Sequence, residues 1–141
     1  MIRVVVIADS SAALANLTAA VAFVPGAHIV RHGGSAVALD RVVAPLAPHL
    51  VLIGDLLAAD KALARIAEVH RAAPLAKVVI LSSSTEAGWL ADALRARASA
   101  VLPGNLEART LGRVLREVLA EGTVLPRLPL VAVASPTEAA A

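Results

Sequence analysis

The sequence predicts an α/β protein in which helices cover both faces of a parallel sheet, giving a three-layer sandwich. Short apolar runs rich in β-branched residues recur along the chain, a pattern typical of strands buried on both faces. Segments whose apolar residues repeat at helical spacing separate these runs. Strands that alternate with amphipathic helices pair in parallel through right-handed crossovers, so we expect one sheet with helices on both sides.

The first half of the chain predicts two strand-helix units. Arg3–Ala8 is a continuous apolar strand, and the Asp and Ser residues at 9–11 supply capping groups for a helix that Pro25 and Gly26 stop. His28–Arg31 is a short second strand. A glycine-containing turn leads from it to a helix over 36–47, whose last turn contains Pro45.

The second half repeats the pattern three times. Apolar strands are predicted over 50–53, 78–81 and 98–102. Each is followed by a segment of helical periodicity, which predicts helices from Ala62 to the residues before Pro74, over 86–96 and over 106–120. Residues 1–122 therefore form one predicted domain. The segment 123–141 is predicted to be a proline-broken tail or the start of a linker.

Composition limits the functions open to this chain. It has 141 residues, a net charge of +2, and aromatic residues at only 1% of positions, which disfavours a stacking surface for single-stranded nucleic acid. No apolar run approaches the roughly 18 residues of a membrane span. With no secretory signal pattern at the N-terminus, we expect a cytoplasmic location and no membrane contact.

In sheets of this kind the functional crevice lies beyond the carboxyl ends of the strands. The residues at those ends are Asp9, Gly54, Asp55, Ser82, Ser83, Pro103 and Gly104. No pair among them offers a nucleophile beside a base, so we predict no enzymatic activity.

Four segments resemble the receiver domain of two-component response regulators, most closely the NarL/LuxR-type transcriptional regulators. They are IRVVVIADSSAAL, APHLVLIGDLL, AAPLAKVVILSSS and ALRARASAVLPGNLEARTLGRVLREVLAEG. The resemblance implies a flavodoxin-like sheet of strand order 2-1-3-4-5. It also implies a homodimer, and DNA contact only through a helix-turn-helix domain that this chain does not contain.

Receivers of this type phosphorylate one of their own aspartates with the help of Mg²⁺. Two acidic groups at the end of the first strand and the acceptor aspartate at the end of the third strand bind this ion. In this sequence the two acidic positions fall on Ala8 and Asp9, so only the second is acidic. The acceptor position, six residues after Pro48, falls on Gly54. Asp55 is displaced by one residue from the acceptor position, and a shift of one residue can turn a side chain to the other face of a strand.

Two further positions bind the phosphoryl oxygens in this family. Ser82 matches the hydroxyl, but the lysine position falls on Gly104, or on Leu102 in an alternative alignment, and neither is a cation. The pocket is therefore interpreted as degenerate, with no catalytic residue and no cofactor. A rearranged Mg²⁺ site using Asp9, Asp55 and Asp60 stays open, as does the interpretation that these residues cap helices or lie in solvated loops.

A second set of residues predicts a contact surface. Arg109, Arg113 and Arg116 share one face of the last helix, Trp89 lies on the fourth helix, and Val101 occupies the family's aromatic switch position. The alternative is a solvated charged face.

These observations predict an atypical receiver that regulates by protein contact and dimerisation, independently of phosphorylation and as part of a transcriptional regulator. Two alternatives stay open. One is a small-ligand sensor that uses the hydroxyl-rich crevice, and the other is a receiver still phosphorylated on Asp55.

Overall fold

A five-stranded parallel sheet with helices on both faces forms the structure, as the sequence predicts. The computed structural model describes residues 1–34, 38–54, 59–82 and 87–121, with the backbone alone at 59–62, 87–90 and 121. The strands are β1 Ile2–Ile7, β2 Ala27–Gly33, β3 Leu50–Ile53, β4 Lys77–Ser82 and β5 Ala100–Pro103, and they lie in the order β2-β1-β3-β4-β5. The helices are α1 Ser11–Val21, α2 Leu39–Leu46, α3 Ala59–Ala72, α4 Ala87–Arg95 and α5 Ala108–Glu121.

The second strand is longer than predicted, because its length is set by pairing and not by its own apolar residues. β2 pairs with β1 from Ala27 to Gly33, with a register irregularity opposite Val4 and Val5. Much of β2 is exposed, as expected for the edge of a sheet. The fifth strand begins two residues later than predicted, at Ala100, where its pairing with β4 begins.

Alternating residues of the central strands supply two separate hydrophobic cores. Leu50 and Leu52 of β3 face the core under α1 and α5. Val51 and Ile53 face the second core, where α2, α3 and α4 pack. All four side chains are fully buried. The apolar runs in the sequence are therefore continuous because both faces of each strand are covered.

The first helix begins with a side-chain cap at the carboxyl edge of the sheet. Ser10 is the N-cap residue, and its Oγ accepts a hydrogen bond of 3.0 Å from the backbone N–H of Ala13. The suggestion that Asp9 caps this helix is wrong, because Ser10 occupies the cap position. None of the helices described here is long and apolar enough to span a bilayer.

Candidate functional site

The carboxyl edge of the sheet contains a cavity of about 380 Å³. The start of α1, the ends of β3 and β4, and the turn between β5 and α5 enclose it. Its lining residues are Ser10, Ala12, Ala13, Asn16, Leu17, Gly54, Leu81, Gly104, Asn105, Leu106 and Glu107. No lysine or arginine is among these, so the described wall of the cavity supplies no cation for an anionic ligand.

Gly54, at the phosphoacceptor position, is buried and closely surrounded. Its backbone N–H donates a 2.7 Å hydrogen bond to the carbonyl of Ile7, which extends the pairing of β3 with β1. A Cβ placed on Gly54 would lie 3.1 Å from the Cβ of Ala8 and 3.2 Å from Cδ1 of Leu17. Both neighbours belong to the hydrophobic core. A side chain here would therefore require these core groups to shift by a few tenths of an ångström.

Ala8 and Asp9, at the positions of the family's acidic pair, have different environments. Ala8 is 7% exposed and packs in the core beside Gly54, so a methyl group occupies the space of one metal ligand. Asp9 is exposed, and its Oδ1 lies toward the end of β2, 3.1 Å from the position of a Cβ on Gly34. The remaining carboxylate therefore lies on the β2 side of the pocket.

The resemblance to receivers assigns the binding of phosphoryl oxygens to Ser82 and Gly104. Ser82 ends β4 and is half-buried, and its backbone carbonyl accepts a 3.1 Å hydrogen bond from the N–H of Gly104. Gly104 is exposed and has no side chain to extend toward a ligand. Leu102, the alternative lysine position, is fully buried in the core. Under either alignment the site lacks the lysine.

Two polar side chains of the crevice form hydrogen bonds with the backbone. The Ser10 hydroxyl caps α1, and the Asn16 amide donates a 3.0 Å hydrogen bond to the carbonyl of Leu106. The second bond joins α1 to the segment before α5 and holds one wall of the cavity in place. Ser83, which the sequence also places at this edge, lies outside the described residues.

A magnesium ion does not fit the described residues between β1 and β3. Mg²⁺ requires oxygen ligands, usually carboxylates, in near-octahedral geometry. Ala8 and Gly54 bring a methyl group and a hydrogen to two of the three ligand positions, with Leu17 packed against them. The described part of the chain contains no group of three His, Asp or Glu residues that would bind a metal. Asp55 and the Asp60 side chain lie outside the described residues, so the rearranged site is untested.

Only some of the residues in the predicted contact surface are exposed. Val101 is 1% exposed in the second core, so its assignment to an interaction face is wrong. The residue belongs to a central part of β5 whose side chains are covered by helices.

The three arginines of α5 are all exposed: Arg109, Arg113 and Arg116. The Arg109 guanidinium lies 5.4 Å from the centre of the Phe23 ring. The side chain of Trp89 lies outside the described residues.

Sequence reasoning did not identify Leu17 as part of this site. Helical spacing in α1 indicates that Leu17 faces the core, but spacing alone does not reveal which strand residue it meets. Its contact with Gly54 depends on how α1 packs across β1 and β3.

Strand order, helix placement and the position of this pocket define the receiver fold. No family model and no curated protein matches the sequence. Among solved structures, the receiver domain of RcsB from Salmonella enterica serovar Typhimurium matches with a TM-score of 0.74 and 17% identity, over 89% of this chain and 94% of that one.

Two further structures of this fold are described as pilus proteins. A putative pilus assembly protein (cpaE) from Burkholderia thailandensis has a TM-score of 0.73 and 24% identity, covering 86% of this chain and 100% of that one. A putative pilus assembly-related protein from Burkholderia pseudomallei has a TM-score of 0.69 and 27% identity, covering 85% and 90%. The chain is thus similar both to response-regulator receivers and to pilus-associated domains that share their fold.

Proposed function

We propose that this chain is an atypical receiver that acts by binding other proteins and does not transfer a phosphoryl group. The observation that carries the proposal is the packing of Gly54 against Ala8 and Leu17. A phosphoacceptor needs a carboxylate beside a cation. Here the position carries no side chain, a Cβ on it would be crowded by Ala8 and Leu17, and no lysine or arginine lines the adjoining cavity. The absence of a cation at Gly104 and at Leu102 supports the same conclusion, because developing negative charge would be left unbalanced.

The retained scaffold supports a binding role. Two hydrophobic cores of buried side chains hold the described part of the sheet, and neither depends on an acidic residue at position 8 or 54. A protein-binding role requires only the exposed surfaces of the helices and loops. The three exposed arginines of α5 favour an acidic partner surface or a second copy of the chain, because such contacts gain from charge complementarity.

Two settings for this module are consistent with the comparisons. A transcriptional regulator agrees with the similarity to RcsB, a response regulator for which a DNA interaction is described, at 15% and 17% identity. A protein of pilus assembly agrees with the two Burkholderia structures, at 24% and 27% identity. We favour the second setting because those two identities are higher. A gene that continues into a helix-turn-helix would support the first setting, and a gene located among pilus-assembly genes would support the second.

Incubation of the full chain with acetyl phosphate and Mg²⁺, followed by intact mass measurement, tests the loss of phosphoryl transfer. We expect no phosphoryl adduct under conditions that modify an ordinary receiver fully. An Asp55→Asn variant is the matched control. A stoichiometric adduct that disappears in this variant would contradict the proposal and would support phosphorylation on Asp55.

A further inference from the structure

A second concave surface lies at the opposite edge of the sheet. This groove has a volume of about 440 Å³ and is lined by the end of α2, the start of β3 and the connection between α3 and β4. Alanine, proline and leucine side chains form most of its wall, among them Ala47, Pro48, Ala73, Pro74, Leu75 and Leu119. We call this surface the amino-edge groove.

The amino-edge groove has an exposed apolar surface. Leu75 is 92% exposed, the highest exposure among the large hydrophobic residues of the described chain. A single exposed leucine is ordinary, but here it borders a row of alanines and prolines that form one concave patch. A patch of this kind gains free energy when another apolar segment covers it.

One wall of the groove is held in a fixed conformation. Arg3 donates through Nε and Nη2 to the carbonyl of Ala47 at 3.0 and 2.9 Å, and through Nε to that of Leu46 at 3.1 Å. Its backbone N–H donates a 2.9 Å hydrogen bond to Nδ1 of His49. These bonds hold the end of α2 and the start of β3 together. This wall of the groove is therefore preformed, which lowers the entropy lost when a segment binds there.

The chain leaves the described domain beside this groove. Leu119 lines it and lies two residues before the end of α5 at Glu121. From Glu121 to Leu125 the chain spans at most about 14 Å when fully extended. A segment that follows α5 directly is thus tethered close to the groove, at an effective concentration of about millimolar.

The sequence after α5 contains an apolar segment of suitable pattern. Leu125–Val133 has Arg127 as its single charged residue, and Pro126 and Pro129 favour the polyproline II conformation over helix. With about three residues per turn, that conformation places Leu125, Leu128 and Val131 along one side. An apolar ridge of this form complements a concave patch of alanine and proline side chains.

We infer that residues 125–133 bind in the amino-edge groove of the same molecule. This contact covers Leu75 and joins the end of α5 to the edge of the sheet opposite the degenerate pocket. The contact would hold the residues that follow the segment at the amino edge of the sheet, away from the carboxyl-edge cavity. The inference does not depend on the proposed function.

Limited trypsin digestion of the full chain tests the contact, because the bond between Arg127 and Leu128 is a tryptic site inside the segment. We expect cleavage at this bond to be at least about tenfold slower in the full chain than in a synthetic peptide of residues 122–141. Leu75→Asp, at an exposed position that leaves the cores intact, is expected to restore the peptide rate. Ala12→Asp, at an exposed position lining the opposite cavity, is the matched control and should leave the protection unchanged.

A second variant tests the segment itself. Val131→Asp is expected to remove the protection, and the double variant with Leu75→Asp should show no further acceleration, because both changes break one contact. Circular dichroism of each variant checks that the domain stays folded. Cleavage of the unmodified full chain at the peptide rate would overturn the inference. Protection that increases over about a hundredfold range of protein concentration would also overturn it, because the occupant would then be a second copy.

Discussion

Gly54 packs closely against two core residues, at the position that the resemblance to receivers assigns to the phosphoacceptor. In an ordinary receiver this position carries an acidic side chain in an open pocket. Here the space around Gly54 is taken by Ala8 and Leu17, both in the core under α1 and α5. Gly54 and Ala8 therefore take part in one packing contact. The Cβ of an aspartate at position 54 would contact both Ala8 and Leu17.

Replacing Gly54 by aspartate tests this packing. We expect Gly54→Asp to lower the free energy of unfolding by about 1–3 kcal/mol, because the new Cβ overpacks the contact with Ala8 and Leu17. It is also expected to leave the chain without a phosphoryl adduct. Urea denaturation measures the first effect and intact mass measures the second.

Gly104→Lys is the matched control for that substitution. It restores the other missing group at an exposed position, so the free energy of unfolding should change by no more than about 0.5 kcal/mol. If Gly54→Asp proves as stable as the unmodified chain, the close packing around Gly54 is not the reason for the missing chemistry.

At the level of elements, the contact between α1 and α5 depends on a glycine. A Cβ on Gly112 would lie 2.6 Å from the Cβ of Phe23 and 2.9 Å from the carbonyl oxygen of Ala20. These atoms belong to the end of α1 and the turn after it, so they cannot move without shifting backbone. Gly112 thus lets the last helix approach the first closely, and this approach positions one side of the carboxyl-edge cavity.

Gly112→Ala should therefore destabilise the protein, although alanine favours helix over glycine by about 1 kcal/mol. We expect the free energy of unfolding to fall by about 1–3 kcal/mol, because the added methyl group overpacks the helix contact. Thermal or urea unfolding measures the change. Arg116→Ala, at an exposed position of the same helix, serves as the control and should have little effect. A variant as stable as the parent would show that the two helices can separate at little cost.

For the whole molecule, one sheet is shared by two cores. Leu52 and Ile53 are neighbours in β3 and contact different cores, yet the same backbone hydrogen bonds hold both. Disruption of either core removes support from the strand that the other core needs. The domain is therefore expected to unfold as one cooperative unit.

Leu52→Ala and Ile53→Ala test this cooperativity. Each is expected to lower the free energy of unfolding by about 2–5 kcal/mol, because each leaves a cavity among fully buried side chains. In both variants, circular dichroism and the fluorescence of the single tryptophan should report the same transition. Two separated transitions in either variant would mean that the cores unfold independently.

The amino-acid sequence by itself determined the α/β class and the alternation of strands and helices. Continuous apolar runs can be recognised in the sequence because strands covered on both faces need apolar residues at every position. The identity of the residues at the strand ends is equally visible. Together with the resemblance to receivers, the sequence therefore suffices to infer that Ala8, Gly54 and Gly104 lack the acidic and basic groups of the family.

Only the tertiary structure decided which residues meet. Leu17 closes the space at Gly54, Val101 is buried and not part of a surface, and Leu119 reaches the groove at the amino edge of the sheet. These contacts join residues from different elements, and local sequence patterns report the face of an element but not its neighbour across the core. Packing between elements therefore decides which sites are closed and which surfaces remain to bind.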